Sequence, residues 1–149
     1  MKAQEETATI RRAAPADAAR LAALSEQLGY PASQEEIEAR LAIILADPGH
    51  ALLVAESPEN GVAGWVHGFI RPLLVEGRHV EVGGLVVEES ARGRGVGETL
   101  MEAIEDWARG RGCKYVYLRS NVIRQDAHRF YERIGYEILK TSLTMRKEI

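Results

Sequence analysis

A short glycine-rich turn between an apolar strand and an amphipathic helix is the strongest constraint on how this chain folds. Gly93, Gly95 and Gly97 lie in this segment. Glycine lets the backbone approach a ligand closely and take conformations that are closed to other residues. The first turn of the following helix directs N–H groups without helical partners into this region, which favours anions. Because Arg92 and Arg94 add two guanidinium groups, the turn is predicted to bind a diphosphate.

The spacing of the glycines separates the classes of diphosphate-binding turn. A P-loop has a lysine directly after its last glycine, whereas this chain has Glu98 there. A dinucleotide-binding turn reads G-x-G-x-x-G, whereas this one reads G-x-G-x-G and lies past the middle of the chain. The segment instead resembles the Q/R-x-x-G-x-G/A signature of the GCN5-related N-acetyltransferase (GNAT) family. The resemblance implies that the pyrophosphate of acetyl-CoA binds to Arg92, Gly93, Arg94, Gly95, Val96 and Gly97.

Length and composition favour one globular domain over 1–149. The 149 residues are enough to bury about two thirds of the unfolded surface. A net charge of −3 argues against a general nucleic-acid binder. We find no apolar run long enough for a membrane span and no signal-peptide core. The single cysteine, Cys113, excludes an intramolecular disulfide, so we expect a cytoplasmic protein.

Hydrophobic periodicity and turn residues predict a mixed α/β order. Pro15 and Asp17 begin a first helix that Gly29 ends, and a capping box of Ser33 and Glu36 begins a second. A third helix is predicted from about Gly95 to Gly110 or Gly112, and a fourth over 126–133. Strands are predicted over 7–12, 51–56, 62–70, 79–87, 115–119, 136–140 and 143–147. The order β-α-α-β-β-β-α-β-α-β-β predicts a mixed six- to seven-stranded sheet with helices on both faces, which is also the order of the GNAT fold.

A second stretch resembles the family's N…A…(F/L)-Y-E-x-x-G-(F/Y) element, on the residues Asn121, Ala127, Phe130, Tyr131, Glu132, Gly135 and Tyr136. The resemblance implies that Asn121 binds the pantetheine arm. It also implies that Tyr131 protonates the departing thiolate, which needs an O–H donor nearby. The alternative is that Tyr131 is a core residue on the inward face of its helix.

Glu81 is the candidate general base. A reacting amine must lose a proton, directly or through water. In the histone acetyltransferase branch of the family, a glutamate at this distance before the turn takes it. Apolar and glycine neighbours are expected to desolvate Glu81 and raise its pKa. The alternative is an exposed strand glutamate, with His79 and His67 as reserve candidates for the base.

Two glycines inside the strand before the turn, Gly83 and Gly84, predict a β-bulge. The resemblance implies that a backbone N–H at this bulge polarises the thioester carbonyl. By position that group belongs to Leu85, while the backbones of Val86 and Val87 would pair with pantetheine. The side chains of these residues are expected to lie in the core.

Together these features predict an acetyl-CoA-dependent N-acetyltransferase that works by direct transfer in a ternary complex, without a metal. The acceptor amine is open, with a small molecule slightly favoured over a protein amine. A homodimer through the last strand or an exposed sheet edge is a further expectation. The alternatives are a non-catalytic acyl-CoA-binding regulatory module and a nucleotide-binding module without acyl chemistry.

Overall fold

The computed structural model describes residues 8–149, in two compact units that are contiguous in sequence. The first ends at Leu118 and the second begins at Arg119. The elements of the first unit are β1 (Thr9–Arg12), α1 (Ala18–Leu28), α2 (Gln34–Ala46), β2 (His50–Ser57), β3 (Gly61–Leu73), β4 (Gly77–Val87), α3 (Val96–Gly110) and β5 (Val116–Leu118). The second unit contains α4 (Gln125–Arg133).

The sheet of the first unit is mixed and has the strand order β1-β2-β3-β4-β5. Strands β1 to β4 form an antiparallel meander, and β5 joins β4 in parallel. The parallel pair follows from chain order, because a helix lies between the two strands and returns the chain to the same end of the sheet. The mixed sheet with helices confirms the predicted α/β class.

Helices cover both faces of this sheet. Leu21, Leu24 and Leu41 of α1 and α2 pack against Leu52 and Val54 of β2. On the other face, Gly68 of β3 lies close to the side chain of Ile104 in α3. Sequence periodicity locates these helices because each apolar stripe recurs every three or four residues.

The predicted helix boundaries are confirmed in detail. The Ser33 hydroxyl accepts the Glu36 N–H at 3.1 Å, which is the cap of α2. Gly29 takes a left-handed conformation with φ of 96° and ends α1. The predicted first strand began at Thr7, which lies outside the described residues.

The two predicted C-terminal strands are wrong. Within residues 8–149 the sheet has five strands instead of six or seven, and the chain over 136–140 and 143–147 forms none. Ile138 and Leu139 are each 70% exposed. Alternating apolar residues specify the two faces of a strand but not the neighbour that must supply its backbone hydrogen bonds.

Candidate active site

The glycine turn runs from the end of β4, through a 3₁₀ turn over Glu89–Ala91, to the start of α3. Gly93 and Gly95 have φ values of 80° and 81°. No heavy atom lies within 4 Å of a Cβ built on either residue, so conformation rather than crowding requires glycine. Gly95 is the N-cap of α3, whose first N–H groups have no carbonyl within the helix to bind. The turn is therefore an exposed row of backbone donors at a helix N-terminus.

The two arginines of the turn are exposed. Arg92 donates from Nε to the Val87 carbonyl at 3.1 Å, which holds it against the end of β4. Arg94 places Nη1 3.7 Å from Oε2 of Glu59, and both side chains are more than half exposed. Exposed pairs of this kind contribute little to stability, so an anionic ligand can replace Glu59 at small cost.

The start of the turn is fixed to α1 through Glu88. Arg20 donates to its carboxylate at 2.6 Å, and Gln27 donates to the same group at 3.0 Å. These hydrogen bonds, Gln27 first and Arg20 second, lower the pKa of Glu88. Gln27 also accepts the Glu89 N–H at 3.2 Å. The sequence analysis missed this clamp because its partners lie more than sixty positions apart, on faces that no local pattern links.

A β-bulge interrupts β4 where the two glycines predicted it. His67 of β3 pairs with Gly84, and the next residue, Gly68, pairs with Val82. Gly83 is therefore the extra residue, which confirms the predicted bulge. On its other side, β4 pairs with β5 only from Val80 to Val82 among the described strands. From Gly83 to Val87 no described strand pairs with that edge of β4, although the Val87 carbonyl accepts from Arg92, and Leu85, Val86 and Val87 lie along it.

Glu81 lies on β4 just before the bulge. It is 9% exposed, so it is not the exposed strand glutamate of the alternative interpretation. Arg71 of β3 donates from Nη1 to its Oε1 at 2.9 Å. This charge-assisted hydrogen bond holds the carboxylate in place beside the bulge. The sequence analysis missed Arg71, because its contact with Glu81 depends on the register of the β3–β4 hairpin.

Two histidines stack on the same face of the sheet. Nδ1 of His50 and Nε2 of His67 are 2.9 Å apart, and the ring centroids are 5.1 Å apart. Burial, and then the proximity of His50, lowers the pKa of His67 to about 4. His67 is therefore neutral near pH 7.

His79, the other reserve candidate, is a packed residue. It is 3% exposed, and its ring centroid lies 4.4 Å from that of Tyr117. Its Nδ1 has no hydrogen-bond partner among the described residues. A ring enclosed in this way has little access to a substrate.

Asn121 and Tyr131 belong to the second unit. The side-chain oxygen of Asn121 accepts the Ile123 N–H at 3.1 Å, so its amide NH₂ is the group that can donate to a ligand. Tyr131 is half-buried, with ring contacts to Phe130 and Tyr136. Burial raises the pKa of Tyr131, and the charge of Arg124 opposes this more weakly. The phenol is thus protonated at neutral pH and is able to donate.

Residues 8–149 contain no group of three or more His, Cys, Asp or Glu side chains that could hold a metal ion. Among the described helices, none has the length and apolar character needed to span a bilayer.

An α/β sheet with a bulged interior strand, a partly unpaired strand edge and a glycine turn at a helix N-terminus is the arrangement that the GNAT resemblance predicted for an acyl-CoA-dependent transferase. The model of the acetyltransferase (GNAT) family matches residues 18–136. The chain belongs to this family and is an acetyl-CoA-dependent N-acetyltransferase.

Individual relatives extend this result. An aminoglycoside N(6′)-acetyltransferase type 1 from Stenotrophomonas maltophilia is 32% identical over 133 residues, covering 87% of this chain and 86% of that protein. The uncharacterized N-acetyltransferase YhdJ of Bacillus subtilis is 39% identical over 69 residues, which are 46% of this chain and 49% of that one. The structure of aminoglycoside N-acetyltransferase AAC(6′)-Iy in complex with CoA is 21% identical, with a TM-score of 0.88 over the full length of both chains. This last likeness concerns the fold.

Proposed function

We propose that residues 1–149 act as one N-acetyltransferase domain that transfers acetyl directly from acetyl-CoA to a primary amine of a small molecule, with both substrates bound at once. The observation that carries this proposal is the bulge at Gly83, which lies beside the open edge of β4 and a few residues before the glycine turn. This arrangement offers backbone groups to an extended arm and to an anion at its end. Bound acetyl-CoA supplies the activated acetyl thioester.

The open edge and the turn fit the two parts of this co-substrate. Backbone groups of Leu85, Val86 and Val87 pair with the pantetheine arm as they would with a strand. The N–H groups and arginines of the turn, Arg92 to Gly97, bind the pyrophosphate. Asn121 donates from its amide to the same arm. The N–H of Leu85 stabilises the negative charge that develops on the thioester oxygen.

Glu81 and Tyr131 divide the proton chemistry in this proposal. Glu81, held in place by Arg71, accepts a proton from the amine through a water molecule. Tyr131, whose pKa burial raises, donates its proton to the leaving thiolate. Glu81 is supported by its position beside the bulge, and Tyr131 by its place in the family element.

A small cationic amine is the acceptor class we favour. The relative from Stenotrophomonas maltophilia, which this chain matches over most of its length, is an aminoglycoside N(6′)-acetyltransferase. An aminoglycoside that carries a 6′-amine is therefore the first acceptor to test, within a panel of primary amines that includes a peptide N-terminus and a lysine side chain.

The first experiment is calorimetric titration of the protein with acetyl-CoA, CoA and ADP, followed by the amine panel with thiol release as the readout. We expect micromolar binding of acetyl-CoA and turnover with at least one small amine. Failure to bind either acetyl-CoA or CoA would contradict the proposal. Turnover with only the peptide or lysine substrate would overturn the assigned acceptor class.

Two variants test the assigned roles. We expect Tyr131→Phe and Glu81→Gln each to lower kcat/KM by about 100-fold, a typical contribution of a single acid or base. Tyr115→Phe and Glu102→Gln are matched controls at exposed positions. If both active-site variants stay within about threefold of the wild type, the roles are assigned to the wrong residues.

The proposal also includes a homodimer in the cytoplasm. Exposed apolar side chains in the C-terminal stretch, Leu143 and Met145 at 87% each among them, support an interface with a second copy. Light scattering on the purified protein measures its mass directly, and a mass of 16.5 kDa would contradict the dimer.

A further inference from the structure

Three side chains form a continuous chain across the sheet face that α1 and α2 cover. Asp47, directly after α2, places Oδ2 3.6 Å from Nε2 of His50, which is an ion-pair distance slightly longer than a hydrogen bond. Nδ1 of His50 is in turn 2.9 Å from Nε2 of His67. At the far end, a methyl group placed on Gly83 would lie 3.3 Å from Nδ1 of His67. The chain therefore begins at the end of α2 and reaches the bulge in β4.

The charge at one end sets the protonation of both rings. An ionised Asp47 favours hydrogen on Nε2 of His50, so Nδ1 of His50 carries a lone pair. That lone pair can accept only from a protonated Nε2 of His67. Nδ1 of His67 is then left with a lone pair beside Gly83. A carboxylate near the surface thus prepares a proton acceptor at the bulge.

Amine acetylation releases one proton that the products do not keep. As the N–C bond forms and the C–S bond breaks, an ammonium loses two protons and the thiolate takes up one. The second proton from the ammonium must be released to water. Glu81 is nearly buried and held by Arg71, so a second group that leads from the bulge towards the surface would serve the release of this proton.

We propose that Asp47, His50 and His67 form the relay by which this second proton leaves the site. An N–H bond of the amine breaks as one forms at Nδ1 of His67. The Nε2 proton of His67 passes to Nδ1 of His50, and the Nε2 proton of His50 passes to Asp47 or to water. His67 is the catalytic residue of this relay, and Asp47 and His50 are positioning residues. The inference rests on the proposed function.

The surroundings of the relay suit release rather than storage of a proton. The side chains of Asp47 and His50 are 54% and 28% exposed, so this end of the relay reaches solvent. The lowered pKa of His67 means that the ring does not retain a proton near pH 7. The charged groups near the relay include Glu81 and Arg71, which are paired with each other, and Arg12 and Arg111, which line a cavity together with His50. After each turnover the rings regain their resting tautomers by exchange with water.

The tautomers can be tested without any substrate. Long-range ¹H–¹⁵N spectra of the labelled protein at pH 7 should place hydrogen on Nε2 of both His50 and His67. Asp47→Asn keeps the oxygen that accepts the Gly49 N–H and removes only the charge, so it should raise the Nδ1–H share at both rings. Asp106→Asn, at an exposed position of α3, is the matched control and should change neither. A resting His67 with hydrogen on Nδ1, or an unchanged spectrum in Asp47→Asn, would overturn the relay.

Kinetics test the role of the relay in turnover. With an aminoglycoside that carries a 6′-amine, Asp47→Asn and His50→Gln should lower kcat about tenfold and leave the Kd for acetyl-CoA within about twofold. A kcat equal to that of Asp106→Asn would overturn the role. If the wild type acetylates no amine, the proposed function fails together with this role, and the spectra still decide whether the hydrogen-bonded chain exists.

Discussion

The glycine turn and the histidine-bearing face of the sheet, to which we assign roles in one proposed reaction, are built in different ways. The turn is contiguous and exposed, and it presents mainly backbone groups whose direction follows from two positive φ angles. The face collects side chains from β2, β3 and β4, and it exists only when those strands are in register. Local sequence can therefore specify the first region, while the second depends on the whole sheet.

The sharpest test of this comparison removes the side chains of the turn. We expect Arg92→Ala/Arg94→Ala to weaken acetyl-CoA binding by about 100-fold, close to 3 kcal/mol, because two charged donors to phosphate are lost. The stability of the fold should not change, since both side chains are exposed. Calorimetry and thermal unfolding measure the two effects, with Arg109→Ala at the far end of α3 as the control.

Substitution of a buried glycine is expected to affect the stability of the fold instead of ligand binding. A Cβ on Gly64 of β3 would lie 2.8 Å from the Val86 carbonyl oxygen, whereas one on Gly110 meets nothing within 4 Å. Gly64→Ala should therefore lower the free energy of unfolding by about 2 kcal/mol through overpacking. Gly110→Ala is the control and should be neutral or stabilising. Urea denaturation measures both, and equal stabilities would contradict the contact.

The pH dependence of stability reports on His67. Its pKa is about 4 in the folded protein, below the ordinary value of 6.5. Between these two pH values the unfolded chain therefore binds a proton at His67 that the folded chain does not bind. Stability should fall by about 1 to 2 kcal/mol as the pH drops from 6.5 towards 4, allowing for screening of a half-buried ring. His67→Gln should flatten this part of the profile. A parallel profile in that variant would show that another group is responsible.

The smallest effect is expected at the clamp on the turn. Glu88 has a lowered pKa, so the stability it adds is present at neutral pH and is lost as the pH falls below the ordinary range of a carboxyl group. Solvent screening of the Arg20–Glu88 pair limits the effect of Glu88→Gln to about 0.5 kcal/mol of unfolding free energy. Acetyl-CoA affinity should fall by about twofold as the turn loosens. An increase in affinity would contradict the clamp.

The sequence anticipated what is local and missed what is paired across strands. The capping box at Ser33, the stop at Gly29 and the bulge at Gly83 each follow from a few neighbouring residues. The Arg71–Glu81 pair and the His50–His67 stack require the register of β2, β3 and β4, which no single segment encodes. The prediction of two C-terminal strands failed for a related reason, because an alternation of apolar residues does not specify the strand with which a segment pairs.

The bulge also changes which residues of β4 share a face. Glu81 lies opposite Phe69, whereas Val86 lies opposite Trp65, so an odd and an even position of one strand point to the same side. Without the extra residue, strict alternation would send these two side chains to opposite layers. Deleting Gly83 would therefore reverse the alternation of side chains on one side of the bulge. Either the carboxylate of Glu81 or the side chain of Val86 would then lie on the wrong face of the sheet. This one extra glycine therefore allows Glu81 and Val86 to lie on the same face of the sheet.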